Sequence, residues 1–200
     1  MKATFLMMVL LLVSTLGFAE DNPLVMVEDT STQVRGLLFK ENGSNTDAVR
    51  AEVEQLIFPR FDFSRMAALA VGKHWKQASA EQKEALATEF RTLLARTYFT
   101  TMLRYRDAGV TIKPDVILEN DGKEATIKTD VRVAGAQTPV LIDYVLYKTP
   151  DGWKVFNVVV EGASLVTVYR NQFGEEISKG GIDGLINSLH VKNQASPAQG

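Results

Sequence analysis

The stretch WKVFNVVVEGASLVTVYRNQF, Trp153 to Phe173, decides the fold. Its first eight residues are mostly aromatic or β-branched, the composition of a strand. Glu161-Gly162 ends that run, and Ser164 opens a segment where Leu165, Tyr169, Phe173 and Ile177 recur at helical spacing. Read as a regular strand, Trp153, Val155 and Val159 point one way, and Phe156, Val158 and Val160 the other. A strand backed by solvent alternates apolar with polar. This one is apolar on both faces, so protein, a partner or a ligand must cover the second.

Working back along the chain, a period of two persists. Strands are expected at about 110–118, 124–133, 139–148 and 153–161, with turns at Asp121-Gly122, Gly135-Ala136-Gln137 and Pro150-Asp151-Gly152. Val131 and Val133 alternate with Asp130 and Arg132, which leaves one wet face. VLIDYVLY, the third strand, is apolar on both. Before the strands the period is helical. Asn22-Pro23 starts a helix to about Glu41, stopped by Asn42-Gly43. A second helix begins at Asn45 or Thr46 and ends at Pro59. FDFSRMAALAVGKHW (Phe61–Trp75) reads as a short, buried helix. Ser79 to Gln82 forms a capping box that opens the longest helix, to about Tyr105. The C-terminal half of that helix is apolar nearly all round. Ile182 to Leu189 makes a last short helix, and NQASPAQG a polar tail. Helices, a four-stranded antiparallel meander, then helices predict one α+β domain.

The first residues, MKATFLMMVLLLVSTLGFAE, carry one lysine, an apolar run and small residues around Ala19. This is the pattern of a secretory signal peptide cleaved after Ala19. The expected division is 1–19 as leader, 20–190 as the single domain and 191–200 as a flexible tail. Of the 200 residues, 22 are basic and 24 acidic, for a net charge of −2, which gives no electrostatic case for nucleic acid. The absence of cysteine removes thiolate nucleophiles, cysteine metal ligands and a cysteine-linked lipid anchor. An exported chain of this size can dispense with disulfides because its core is large enough.

Reactive groups are sparse. His74 and His190 show no ligand spacing and read as structural or exposed. Gly162-Ala163-Ser164 lacks the final glycine of a nucleophile elbow, so Ser164 reads as a helix cap. No phosphate-binding glycine loop is present. Asp143 shares a strand face with Leu141, Val145 and Tyr147, and there an acid could act as a general base in an apolar pocket. Three readings follow: a hydrophobic carrier, an exported isomerase or hydrolase using Asp143, and an interaction module with an ordinary core.

The ordered series LIFPRFDFSRMAALAVGKHW, ASAEQKEALATEFRTLLARTY, WKVFNVVVEGASLVTVYRNQF and GGIDGLINSL closely resembles the MlaC, or toluene-tolerance auxiliary, family over about Pro23 to Leu189. Where members commonly carry Asp after W-K-V-Y, this chain has Phe156-Asn157, and a structural hydrogen bond is the role expected for that position. The resemblance implies a strongly twisted antiparallel sheet packed with helices around an apolar pocket. It implies a periplasmic phospholipid shuttle, monomeric, without enzyme activity or cofactor, whose cargo is phospholipid. It further implies two partners: an inner-membrane ABC transporter complex with a lipid-binding ring, and an outer-membrane lipoprotein complex. The pool expected to contain the lining is Met66, Leu69, Trp75, Phe90, Leu94, Tyr98, Met102, Leu141, Val145, Phe156, Val158, Leu165, Tyr169 and Phe173. Arg104 and Arg106 are the candidates to meet a phosphate at the mouth.

Overall fold

The computed structural model describes residues 22–195. The leader therefore lies outside the described residues, as do the last five of the tail. Among the described residues five helices are assigned: α1 (Pro23–Leu38), α2 (Thr46–Ile57), α3 (Phe63–Val71), α4 (Ala80–Arg104) and α5 (Leu165–Gln194). Short 3-10 turns follow α2 and α3. Between α4 and α5 runs an antiparallel meander in the order β1 (Gly109–Glu119), β2 (Glu124–Arg132), β3 (Val140–Thr149), β4 (Gly152–Val160) and β5 (Ala163–Ser164).

The starts are fixed by caps. Asn22 Oδ1 accepts from the Leu24 N–H at 2.9 Å with Pro23 next to it, and Asp62 Oδ1 accepts from the Arg65 N–H at 2.8 Å. At α4 the capping box is complete: Ser79 Oγ accepts from the Gln82 N–H at 3.1 Å, and Gln82 Oε1 from the Ser79 N–H at 3.0 Å. Ser164 caps α5 by accepting from the Thr167 N–H at 3.4 Å. Each such cap is worth about 1 kcal/mol.

Two expectations are corrected. The sheet has five strands rather than four, because Glu161 and Gly162 both take positive φ, 50° and 79°, and form a tight hairpin. That hairpin pairs Val160 with Ala163, and the two-residue β5 is too short to leave a periodic signal. The alternation of β4 is also broken. Val145 pairs with Asn157, yet Leu146 pairs with Val155, so Phe156 is an inserted residue, a β-bulge. Past it the parity reverses: Val158 and Val160 stand on the face of Trp153 and Val155, and Val159 on the opposite one.

Two smaller differences concern helix ends. The last helix, the second half of α5, is set off from the one before it by the non-helical backbone of Gly181 (φ 67°, ψ −169°), as expected, but it runs farther, to Gln194. Asn193 is buried there and donates to the Glu89 backbone carbonyl at 2.9 Å, so these residues are fixed helix rather than tail. α1 ends at Leu38, three residues before the expected stop.

The apolar residues gather in three clusters. In the first, α3, α4 and α5 pack around Met66, Phe90, Leu94, Phe173, Leu185 and Leu189. The second joins Met26 and Val27 of α1 to Ala125, Ile127, Leu146, Trp153 and Val155 on one face of the sheet. The third joins Leu38 of α1 to Val49 and Val53 of α2 and Phe99 of α4. Phe61 packs against the first two.

Candidate functional site

The face of the sheet met by α1 has an unusual composition. Its inward positions on β1 to β4 include Val110, Ile112, Ala125, Ile127, Thr129, Val131, Val140, Ile142, Tyr144, Leu146, Val155, Val158 and Val160. None of these is charged, and only Thr129 and Tyr144 are polar; the charge on this parity is that of exposed Lys148 at the end of β3, in register with Trp153, so the charge-free face is the stretch before it. The α1 end is closed, with Ile127 and Leu146 0 % exposed. Farther along, Ile112, Tyr144 and Val158 stay half-buried although they pack against that cluster. Tyr144 is the telling residue. Burial pushes its hydroxyl pKa above the usual value, so many atoms surround it, yet it keeps accessible surface.

The expected lining residues are not brought together in one place. Met66, Phe90, Leu94 and Phe173 are core of the helical cluster, and Met66 and Phe90 are 0 % exposed, with no room beside them. The Phe90 ring meets Tyr169 and Phe173 edge-on at 5.0 and 5.2 Å. Leu69, Trp75, Tyr98, Leu165 and Tyr169 form the half-buried margin of that cluster, and Met102 that of the third. Burial raises the Tyr169 hydroxyl to about 12, helped by the neighbouring Tyr98. Val158 alone of the pool sits on the charge-free sheet face.

Leu141 and Val145 lie on the outer face of β3, because Tyr144 and Ile142 hold the inner parity; Leu141 is 49 % exposed. Phe156, the bulge residue, is covered by the Arg65 guanidinium at 3.8 Å, which also lies 4.2 Å from the Tyr147 ring and bonds Glu124 at 2.7 Å. Asp143 is on the outer face as well, in register with Lys128 and Val159.

Arg106 is already committed. Its guanidinium meets Glu41 at 3.0 Å and fastens the α1–α2 turn to the end of α4. The Glu41 carboxyl is held below its usual range mainly by the Thr46 hydroxyl and the Gly43 N–H, with Arg106 adding to them. Asn157 has the expected structural role. Its Oδ1 accepts from Ser164 Oγ at 3.2 Å and from the Val166 N–H at 3.5 Å, tying β4 to the start of α5.

Two surface clefts lie on the helical side. One of about 270 Å³ is lined by Leu93, Tyr169, Phe173 and Leu189, with Glu175, Glu176 and Lys192 also lining it. The other, about 520 Å³, lies between Phe63 of α3 and the Lys83–Arg91 side of α4. Among the described residues no cluster of His, Asp or Glu is arranged to hold a metal, and no helix is long and apolar enough to cross a membrane.

Sequence reasoning missed Ile112, Thr129, Ile142 and Tyr144. The signal was present in VLIDYVLY, where Ile142, Tyr144 and Leu146 alternate with Leu141, Asp143 and Val145. Both sets are largely apolar, so parity could be fixed only by neighbouring β2, whose wet positions Lys128 and Asp130 oppose Asp143 and Leu141.

An α+β fold with an uncharged, half-buried stretch of sheet and apolar helices is the architecture of a protein able to hold an apolar ligand. Residues 28–191 match the family model described as MlaC protein, and the chain belongs to that family. A toluene tolerance protein, ttg2D, of Pseudomonas putida is 26% identical over 90% of this chain and 87% of its own. The intermembrane phospholipid transport system binding protein MlaC of Haemophilus influenzae is 23% identical over 89% and 85%. The structure of a phospholipid-binding protein from Ralstonia solanacearum, in complex with a phospholipid, superposes with a TM-score of 0.76. It is 32% identical and covers 88% of this chain and 97% of its own.

Proposed function

We propose that this protein is a periplasmic carrier that binds glycerophospholipid and moves it between the inner and outer membranes, sustaining the lipid asymmetry of the outer membrane. The observation that carries the reading is the apolar stretch of the sheet at Ile112, Tyr144 and Val158, which stays half-buried beside a closed cluster and has no charged side chain in its register. The names of the relatives and the phospholipid held by the Ralstonia protein support it. At about 0.8 kcal/mol per methylene, exposing two chains of about 30 methylenes in all to water costs roughly 24 kcal/mol. A carrier must therefore cover the tails fully. A membrane is equally apolar, so net transfer lies near zero and both loading and release can proceed.

Nothing in this work needs bond chemistry, and we assign no enzyme activity or cofactor. The three clusters stay separate, and we infer that loading parts the helical cluster from the sheet along the half-buried residues Tyr98, Met102, Val158, Leu165 and Tyr169. The leader is cleaved after Ala19, and the chain from Glu20 to the end of α5 forms the single cargo-binding domain of a monomer. The partners are an inner-membrane ABC transporter complex with its lipid-binding ring and an outer-membrane lipoprotein complex.

The test is native mass spectrometry of protein expressed with its leader, followed by organic extraction. One diacyl phospholipid per chain is the expected result, with a protein mass beginning at Glu20. Folded protein that holds no lipid and takes none from vesicles would overturn the reading.

A further inference from the structure

Two hydroxyls interrupt the charge-free face. Thr129 is 2 % exposed, and its Oγ1 is buried without a hydrogen-bond partner among the described residues. Tyr144 stands diagonally across from it: Thr129 pairs with Ile142, and Ile127 with Tyr144. The Tyr144 hydroxyl has no hydrogen bond among the described residues either. A hydroxyl buried without a partner costs about 1–3 kcal/mol. Valine would fill the Thr129 position without that cost; the Tyr144 hydroxyl keeps accessible surface and would lose it, and its water, once a lipid covers it. Ile112, opposite Thr129 on β1, and Val158, opposite Tyr144 on β4, can bond neither group.

The group that satisfies the two hydroxyls must be neutral. Lys128 and Lys113 lie on the far side of the sheet, where Lys113 meets Asp130 at 2.5 Å. No cation faces Thr129 from β1, β3 or β4, so a phosphate brought here would lose its hydration without a counter-charge. A diacyl lipid offers one kind of neutral acceptor next to its methylenes, the acyl ester carbonyl.

We propose that Thr129 and Tyr144 form an ester-recognition niche: both hydroxyls donate to an acyl-ester carbonyl of the cargo, fixing how deep the glycerol sits and favouring ester-linked over ether-linked lipid. This rests on the carrier reading above and adds a chemical selectivity to it. Acyl chains without a carbonyl leave both hydroxyls unsatisfied. The niche therefore works by a cost imposed on the wrong lipid as well as by a bond to the right one.

The test is a competition. Lipid-free full-length protein is incubated with vesicles holding equal amounts of diacyl and dialkyl-ether phosphatidylglycerol of matched chain length, and the bound lipid is extracted and weighed by mass spectrometry. The wild type is expected to hold the ester form in roughly three- to tenfold excess, the size of one hydrogen bond made or lost. Thr129→Val with Tyr144→Phe should bring that ratio to about one, read within whatever lipid the variant holds. Equal uptake of both lipids by the wild type overturns the niche and leaves the carrier reading standing; an ordered water between the hydroxyls gives that result. No uptake of either lipid overturns both. The wild-type ratio needs no variant, and each single substitution gives a second reading if the double variant folds poorly.

Discussion

The helical cluster and the charge-free sheet face are both apolar, and they differ in closure. In the first, Phe90 and Met66 have no accessible surface and the aromatic rings meet edge-on. In the second, Ile112, Tyr144 and Val158 remain half-open although no charged group stands beside them. The helical cluster is packed as a protein interior is packed, where each missing methylene is felt. The sheet face departs from that rule over its far half. Apolar composition alone does not separate a core from a binding site; incomplete burial of apolar residues is the difference between these two regions.

The largest way to break this contrast is Phe90→Ala. A fully buried phenylalanine removed from a closed core costs about 3–5 kcal/mol, read as a lower denaturant midpoint. Folded molecules should still load lipid, since the proposed site is on the sheet face. Next comes Val158→Trp, expected to reduce bound lipid at least several-fold with little loss of stability, because the ring fills space that is already there. A cost of about 1–3 kcal/mol, the range for overfilling a closed core, would place Val158 in core instead, and circular dichroism with urea titration separates the two. Asn157→Ala removes the tie between β4 and α5 and should cost about 1 kcal/mol, with amide exchange faster in the first turn of α5. The smallest effect is expected on the outer face: Leu141→Lys should change stability by less than about 0.5 kcal/mol and leave loading untouched. Loss of lipid in that variant would mean that the outer face belongs to the site.

Much of the fold was legible because its signals are local. The capping box at Ser79, the cap at Ser164, the turns at Gly122 and Gly152 and the helical stripes need only a few neighbours to read, and all stand where the sequence puts them. The site was less legible. A stripe such as Leu86, Phe90, Leu94 looks the same whether it meets another helix or a ligand, and here it meets α3 and α5. On β3 and β4 the apolar residues occupy both parities, so counting alternate positions could not choose between Val145 and Tyr144. The inserted residue Phe156 made the count on β4 wrong beyond that point. Asn157 was read correctly because a lone amide in an apolar run has few roles other than bonding backbone.

The bulge at Phe156 also has a consequence for how the chain tolerates change. Any substitution there alters one side chain, held between Arg65 and Tyr147. Deleting that single residue would instead restore strict alternation from Trp153 onward. Val158 and Val160 would keep facing inward, and Asn157 and Val159 outward, because removing the extra residue leaves every later side chain opposite its present partner on β3. What would go is the local bend and the ring held between Arg65 and Tyr147. The bulge is thus a place where β4 can lose a residue without turning its faces over: the one-codon deletion at position 156 should fold with the same inner face and a lower denaturant midpoint.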